Sequence, residues 1–233
     1  MKKSQSRRSP LEPSSSAPEF SPSRDGWQNS TAKVRQPGLV IGFHGCDRSI
    51  GEEILAGNAE VKASKNPYDW LGNGSYFWEN SSERALEWAR LLKKQRGGLK
   101  DGGIDEPFVV GAIIDPGLCL DLLEASCIDL VTDAHQMFAD AMASSGNDLP
   151  INEEGYPGDI DLVKRQLDCA TINFLHNLRE AESLEPFDTV RCAFAEGTAA
   201  YEGARIQHRT HIQWCVRDTK RFVRGYFRPR KGS

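Results

Sequence analysis

Residues 39–48, LVIGFHGCDR, and residues 68–90, YDWLGNGSYFWENSSERALEWAR, decide how this chain is read. The apolar run before His44 is too short for a helix and β-branched at its centre, so it predicts a buried strand that ends at His44-Gly45. Ser49, with Glu52 three residues on, Ile54-Leu55 and then Gly57, has the pattern of a capped helix. His44 therefore falls where a strand leaves a sheet, just ahead of a helix. In the second stretch NPYDWLGNG is turn-rich, Tyr76-Phe77-Trp78 has strand character, and Ser81 or Ser82 can cap a helix. Ala85, Trp88, Ala89 and Leu92 share one face of that helix.

Working outward, the 233 residues are enough for one domain with a real core. The net charge of −4 hides a division: residues 1–38 carry about +4, residues 39–216 about −14 and residues 217–233 about +6. Basic ends around an acidic body can favour a polyanion, although such ends are commonly only solvated. Residues 1–38, rich in Ser and Pro, read as a disordered basic tail, with Trp27 its one large aromatic. A folded domain is expected over 39–233. The six cysteines are scattered without a CxxC pair and MKKSQSRRSP lacks an apolar leader, which predicts free thiols in a cytoplasmic protein. No run approaches the roughly 18 apolar residues of a membrane span.

Further along, RGGLKDGGIDEP reads as a connection, FVVGAIID as a strand and Asp115-Pro116-Gly117 as a turn. Periodicity predicts helix from Leu118 to Ala143 and from Asp159 to Glu182, the second with a stripe through Ile160, Val163, Leu167, Ala170, Phe174 and Leu178. FDTVRCAF, THIQWCVRD and RFVRGYF return to strand patterns. In HIQWCVRD, alternation sets Ile212, Trp214 and Val216 against His211, Gln213, Cys215 and Arg217. Strands at both ends with helices between predict an α+β fold around a split, largely antiparallel sheet, with a helical insertion over about 118–183.

Several chemistries are excluded by spacing. GNGSY lacks the Gly-Lys-Ser/Thr of a phosphate loop, and GLKDGG fails the dinucleotide fingerprint in spacing and context. His44-x-Cys46 and His208-x-x-His211 have no partners at zinc spacing, so no metal is expected. There is no G-x-S-x-G elbow. A lone histidine at a strand end is more often structural than catalytic, His208 and His211 read as surface residues beside a strand, and the run Arg217 to Arg230 reads as a solvated face.

The pairing of His44-Gly45 with Gly72-Asn73-Gly74-Ser75-Tyr76-Phe77 and a following helix resembles the NAD-binding core of ADP-ribosyltransferases of the diphtheria-toxin and poly(ADP-ribose) polymerase class. Their signature is a His, a Tyr and a third residue, often Glu, on three separate strands. The resemblance covers roughly residues 39–90 and 189–228. It implies that His44 donates to a ribose hydroxyl of the adenosine part, that the Gly45 backbone pairs with the nicotinamide carboxamide, and that Tyr76 stacks on the nicotinamide ring. It further implies that Gly72 and Gly74 permit the close turn, that Ser75 lies at the cofactor, and that the third residue falls in THIQWCVRD. There Gln213 stands where the best-known members have Glu. Glutamine can hydrogen-bond but cannot carry charge or take a proton at neutral pH, so chain elongation is not expected. Glu196, Glu202 and Asp218 are the nearby carboxylates that could substitute. Arg84 or a nearby Ser takes a polar place of the family pattern, and Trp88 fits both its helix's core stripe and a second stacking place.

The expected function is NAD-dependent mono-ADP-ribosyl transfer to a protein or nucleic-acid acceptor, as in a bacterial or phage-related toxin or defence effector with an antitoxin-like partner. NAD hydrolysis and catalytically inactive NAD or ADP-ribose binding are the alternatives on the same residues.

Overall fold

The computed structural model describes residues 38–101 and 103–230. The tail expected over 1–38 lies outside them apart from Gly38. Strand β1 (Val40–Asp47) runs directly into helix α1 (Arg48–Leu55). The cap of α1 is Asp47 and not Ser49, because the strand continues three residues past His44. Asp47 Oδ1 accepts from the Ser49 N–H (2.9 Å) and hydroxyl (2.7 Å). Its Oδ2 accepts from the N–H groups of Asp105 (2.8 Å) and Glu106 (2.9 Å). One buried carboxylate thus fixes the strand-to-helix junction and ties it to the segment before β3.

Strand β2 (Ser75–Glu79) turns through Asn80, at φ 53°, into helix α2 (Ser82–Arg96). Ser81 caps that helix by accepting from the Arg84 N–H at 3.3 Å. Next come β3 (Pro107–Ile114), β4 (Cys119–Asp121), α3 (Ala125–Ser144), the short strands β5 (Asn152–Glu153) and β6 (Lys164–Arg165), and α4 (Gln166–Ala181). Strands β7 (Thr189–Phe194) and β8 (His211–Val216), the one-turn helix α5 (Thr219–Phe222) and β9 (Val223–Phe227) complete the fold.

The fold is α+β. Seven strands form one sheet in the order β4-β7-β8-β2-β1-β3-β9, antiparallel at every pairing except β4 with β7. The region 118–183 is not purely helical. Cys119-Leu120-Asp121 are fully buried and pair with Thr189-Val190-Arg191, which holds them as strand. Asp121 then accepts from the Leu123 N–H at 3.1 Å and turns the chain toward α3. The second predicted helix starts late because the Asp159 carboxylate gathers the N–H groups of Gly155, Asp161 and Val163 at 2.9–3.0 Å into a loop. Ile160 is consequently 82 % exposed. The buried face of α4 runs through Cys169, Ile172, Leu175 and His176, and its first N–H groups at Leu167 and Asp168 are capped from outside by Asn152 Oδ1.

Each face of the sheet has its own core. On one face Val190, Phe194 and Cys215 pack with Leu71 and with Cys127, Leu130, Ile172 and Leu175 of α3 and α4. On the other Phe77, Val110, Ile114, Trp214 and Val216 pack with Ile54 of α1, Val61 and Phe222. Trp214 and Val216 thus share a face, as their alternation predicts, with Cys215 opposite. All six cysteines are free. Among the described residues no helix is long and apolar enough to cross a membrane, and no group of three or more His, Cys, Asp or Glu could hold a metal ion.

Candidate functional site

The three residues singled out from the sequence lie on strands that neighbour one another. His44 is on β1, Tyr76 on β2 and Gln213 on β8, in the sheet order β8-β2-β1. β1 pairs with β3 along its whole length, from Val40 opposite Ile114 to Asp47 opposite Pro107. Its ladder with β2 registers only Gly42 with Glu79 and Phe43 with Trp78. Beyond Phe43 the two strands part, and the His44 ring reaches across the opening, its Nδ1 lying 2.8 Å from the Tyr76 carbonyl oxygen.

That bond fixes which ring nitrogen of His44 carries a proton. A carbonyl can only accept, so Nδ1 carries the proton. Burial pulls the pKa of His44 down, against the opposing effect of the Tyr76 bond, so the ring is neutral. Nε2 is then a lone pair, an acceptor and not a donor.

Gly45 answers to two neighbours. A Cβ there would collide with the carbonyl oxygen of Ala85 and come within 3.3 Å of Ala89 Cβ, so helix α2 itself demands glycine. Its backbone faces elsewhere: the Ile41 carbonyl accepts from the Asn80 N–H at 3.0 Å on the β2 side. By strand alternation the Gly45 N–H and C=O project the same way, into the opening.

The Tyr76 hydroxyl accepts from the Leu71 N–H (2.9 Å) and donates to the Gly72 carbonyl (2.7 Å). The phenol pins the turn that precedes its own strand, with Gly72 at φ 80°, and the partly buried ring packs against the core on that face. Ser75 and Gly74 are not brought to the same place. The Ser75 hydroxyl donates to the Val61 carbonyl at 2.9 Å, and Gly74 pairs with Ser64 and leaves space for Cys215 Sγ.

Gln213 lies opposite Trp78 on one side and Cys192 on the other, and among the described residues its amide makes no hydrogen bond. Trp88 is 38 % exposed at the rim of α2, its ring centroid 5.9 Å from Trp78 and 6.5 Å from His44. The aromatic line continues from Trp78 to His211 (6.4 Å), Phe194 (5.6 Å) and Trp70 (4.4 Å). His211 is therefore no surface residue: it is 8 % exposed, in phase with Gln213 and Cys215. Arg165 was not legible as a site residue, lying in a segment that reads as helix; its guanidinium sits 4.1 Å from the centroid of Trp70.

Of the candidate carboxylates, Glu202 is exposed and Asp218 caps α5 beyond the far end of β8. Glu196 is the one drawn inward, its carboxylate 3.9 Å from the Arg84 guanidinium. Burial pushes its pKa up to about 7, with Arg84 opposing and Asp161 adding to the rise. Its backbone carbonyl accepts from the Arg209 N–H at 2.9 Å, four residues before Gln213, in the loop that leads into β8.

Clefts open on the surface of the described residues. One, of about 430 Å³, lies among α3, α4 and β7 and includes Trp70, Arg165, Thr171 and Phe194. Another, of about 310 Å³, is bordered by Lys65, Asn73, Arg217 and Arg221. Neither includes His44, Tyr76 or Gln213.

No protein-family model matches the chain. It is 26% identical over 193 residues to the Uncharacterized protein MJ0359 of Methanocaldococcus jannaschii, an alignment covering 76% of this chain and 81% of that protein. That name carries no activity, so the functional reading is argued from geometry and residue chemistry.

Proposed function

We propose that this chain is an NAD-dependent mono-ADP-ribosyltransferase built on a split-sheet core of the diphtheria-toxin and polymerase class. The observation that carries the reading is the parting of β1 from β2 directly after Phe43. The opening brings the neutral ring of His44, the outward backbone of Gly45 and the strand of Tyr76 to one edge, with Gln213 on the next strand over.

Cleaving the nicotinamide-ribose bond sends its electron pair to the departing neutral nicotinamide and leaves positive charge on the ribose. His44 Nε2 accepts a ribose hydroxyl. The N–H and C=O of Gly45 take the carboxamide, fixing the ring over the face of Tyr76, and Trp88 closes the rim. Gln213 orients a ribose hydroxyl through its uncommitted amide. It cannot take the acceptor's proton, which limits the reaction to single transfers onto an acceptor that is already a good nucleophile, in a protein or a nucleic acid.

The test is nicotinamide release by the intact chain and two variants whose folding is checked by circular dichroism. His44→Ala and Tyr76→Ala each lower release on the order of 100-fold or more. Full release by folded Tyr76→Ala would overturn the site assignment.

A further inference from the structure

The seam between α2 and the start of α4 holds buried polar groups to which the proposed NAD site gives no role, although the family resemblance set Arg84 in a polar place of its pattern. The indole Nε1 of Trp78, the Nε of Arg84, the Nε of Arg165 and Nε2 of His211 are all buried and, among the described residues, have no hydrogen-bond partner. Trp78 is 6 % exposed and His211 8 %. The four side chains form one cluster. The rings of Trp78 and His211 lie 6.4 Å apart, and the Arg165 guanidinium lies 5.4 Å from the centroid of Phe194, which itself contacts His211. Arg84 and Arg165 both act electrostatically on His211 and on Glu196.

Unpaired buried donors are costly, so such a cluster calls for a matching partner. Three of its atoms are N–H donors, two of them on guanidinium groups, which asks for an anion with several acceptor oxygens. The fourth asks for the opposite. His211 Nδ1 lies 2.7 Å from the Arg209 carbonyl and so carries the proton, which leaves Nε2 as an acceptor. Burial keeps that ring neutral, the Arg209 bond opposing and Arg84 and Arg165 reinforcing. The ligand must therefore bring at least one hydrogen of its own beside its oxygens. A carboxylate or a phosphodiester at neutral pH has none to give. A phosphate monoester, with a second pKa of about 6, keeps a P–OH on a minority of molecules at pH 7 and on most of them below pH 6.

We propose that Trp78, Arg84, Arg165 and His211 form a binding site for a phosphate monoester. Three N–H groups hold its anionic oxygens and its P–OH donates to His211 Nε2. Of the four, Arg165 lines the cleft of about 430 Å³, beside Trp70 and Phe194, and that cleft has room for the organic group that the phosphate carries. The site stands apart from the NAD reading, since the pyrophosphate of NAD has no monoester oxygen to protonate.

Glu196 gives the site its pH dependence. The charged groups facing it are Arg84 from α2, Asp161 and Arg165 from the segment leading into α4, and Arg209 from the loop before β8. With its pKa near 7, Glu196 is neutral below that pH and tolerates an anion beside it. Above it, the carboxylate repels the ligand while the ligand loses the P–OH that His211 accepts. Both effects weaken binding as pH rises, and binding takes up protons at and above the transition, where the free groups have lost them.

The experiment is calorimetric titration of the full chain with inorganic phosphate at pH 6.5 and pH 8, in buffers of different ionisation enthalpy, with tryptophan fluorescence followed in parallel. Saturable binding that weakens at pH 8 is expected. Trp78→Phe, which keeps a ring and loses the N–H, and Arg84→Lys, which keeps the charge and loses Nε, each weaken it on the order of tenfold. Glu196→Gln reduces the fall in affinity between the two pH values. Arg221→Ala, in the other cationic cleft, leaves binding unchanged, and NAD binds without displacing phosphate. Absence of saturable binding, loss of binding in Arg221→Ala with retention in Arg84→Lys, or competition by NAD would each overturn the assignment.

Discussion

Tyr76 serves two readings at once, and they can be separated atom by atom. Its hydroxyl is spent on the Leu71-Gly72 turn, while the proposed stacking needs only the ring. Tyr76→Phe removes the hydroxyl and leaves the ring, so it should cost about 1–3 kcal/mol of stability in urea unfolding while nicotinamide release stays within a few-fold of the parent. A Tyr76→Phe protein that is fully stable would mean the turn does not depend on that hydroxyl. The sequence could not disclose this division, because GNGSYF shows that a tight turn precedes an aromatic strand but not that the aromatic reaches back to hold it. The same holds for Gly45. The His-Gly pair reads as a ligand motif, whereas the structure adds a packing reason, the Ala85 carbonyl directly over the missing side chain. His44 was legible as a strand residue, but β1 runs on past it to Asp47, and its protonated nitrogen became evident only from the Tyr76 carbonyl across the opening.

Among the elements, the junction of β1 with α1 carries the most concentrated polar chemistry. Asp47 is 3 % exposed and accepts four hydrogen bonds. Burial alone would raise its pKa, but the N–H groups of Glu106, Ser49 and Asp105 and the Ser49 hydroxyl together bring it below the ordinary value. A carboxylate so depressed adds stability that is fully present above the unfolded value of about 3.9 and is lost as pH falls through the lower folded value. Asp47→Asn should lower the unfolding free energy by about 2–3 kcal/mol at pH 7 and by less at pH 3, measured by chemical denaturation at both. An equal loss at both would show that charge is not what the junction uses. Most strands and α2 could be read from alternation and capping residues, since those signals are local. The start of α4 could not, because the Asp159 loop and the Asn152 cap depend on side chains 4 to 16 positions away. β4 was missed because a three-residue strand buried on both faces has no alternation to show.

At the scale of the whole molecule the sheet is stitched across its strands by Arg191, which reaches Glu79 at 2.9 Å and Asp121 at 3.0 Å, while the Trp214 indole donates to Glu79 at 2.7 Å. This network locks β4, β7, β8 and β2 together on one side of the opening. On the other side β1 is held by its unbroken ladder to β3. The opening at His44 thus lies between these cross-linked strands and the β1–β3 ladder, which stay paired at Gly42 and Phe43, and the α+β class and antiparallel sheet follow from strand patterns that the sequence displays at both ends of the domain. The candidate site was legible as three motifs; Arg165, Trp70 and His211 were not, since they converge through the tertiary fold and belong to no common motif. The proposed activity requires that this seam cleave NAD. The measurement that tests it most directly is incubation of the purified full chain with NAD labelled in both the adenine and nicotinamide parts, alone and with protein, RNA or DNA added. Release of free nicotinamide with the adenine label carried onto a macromolecule is the predicted result. No nicotinamide release under any of these conditions, from a protein that still binds NAD, would contradict it.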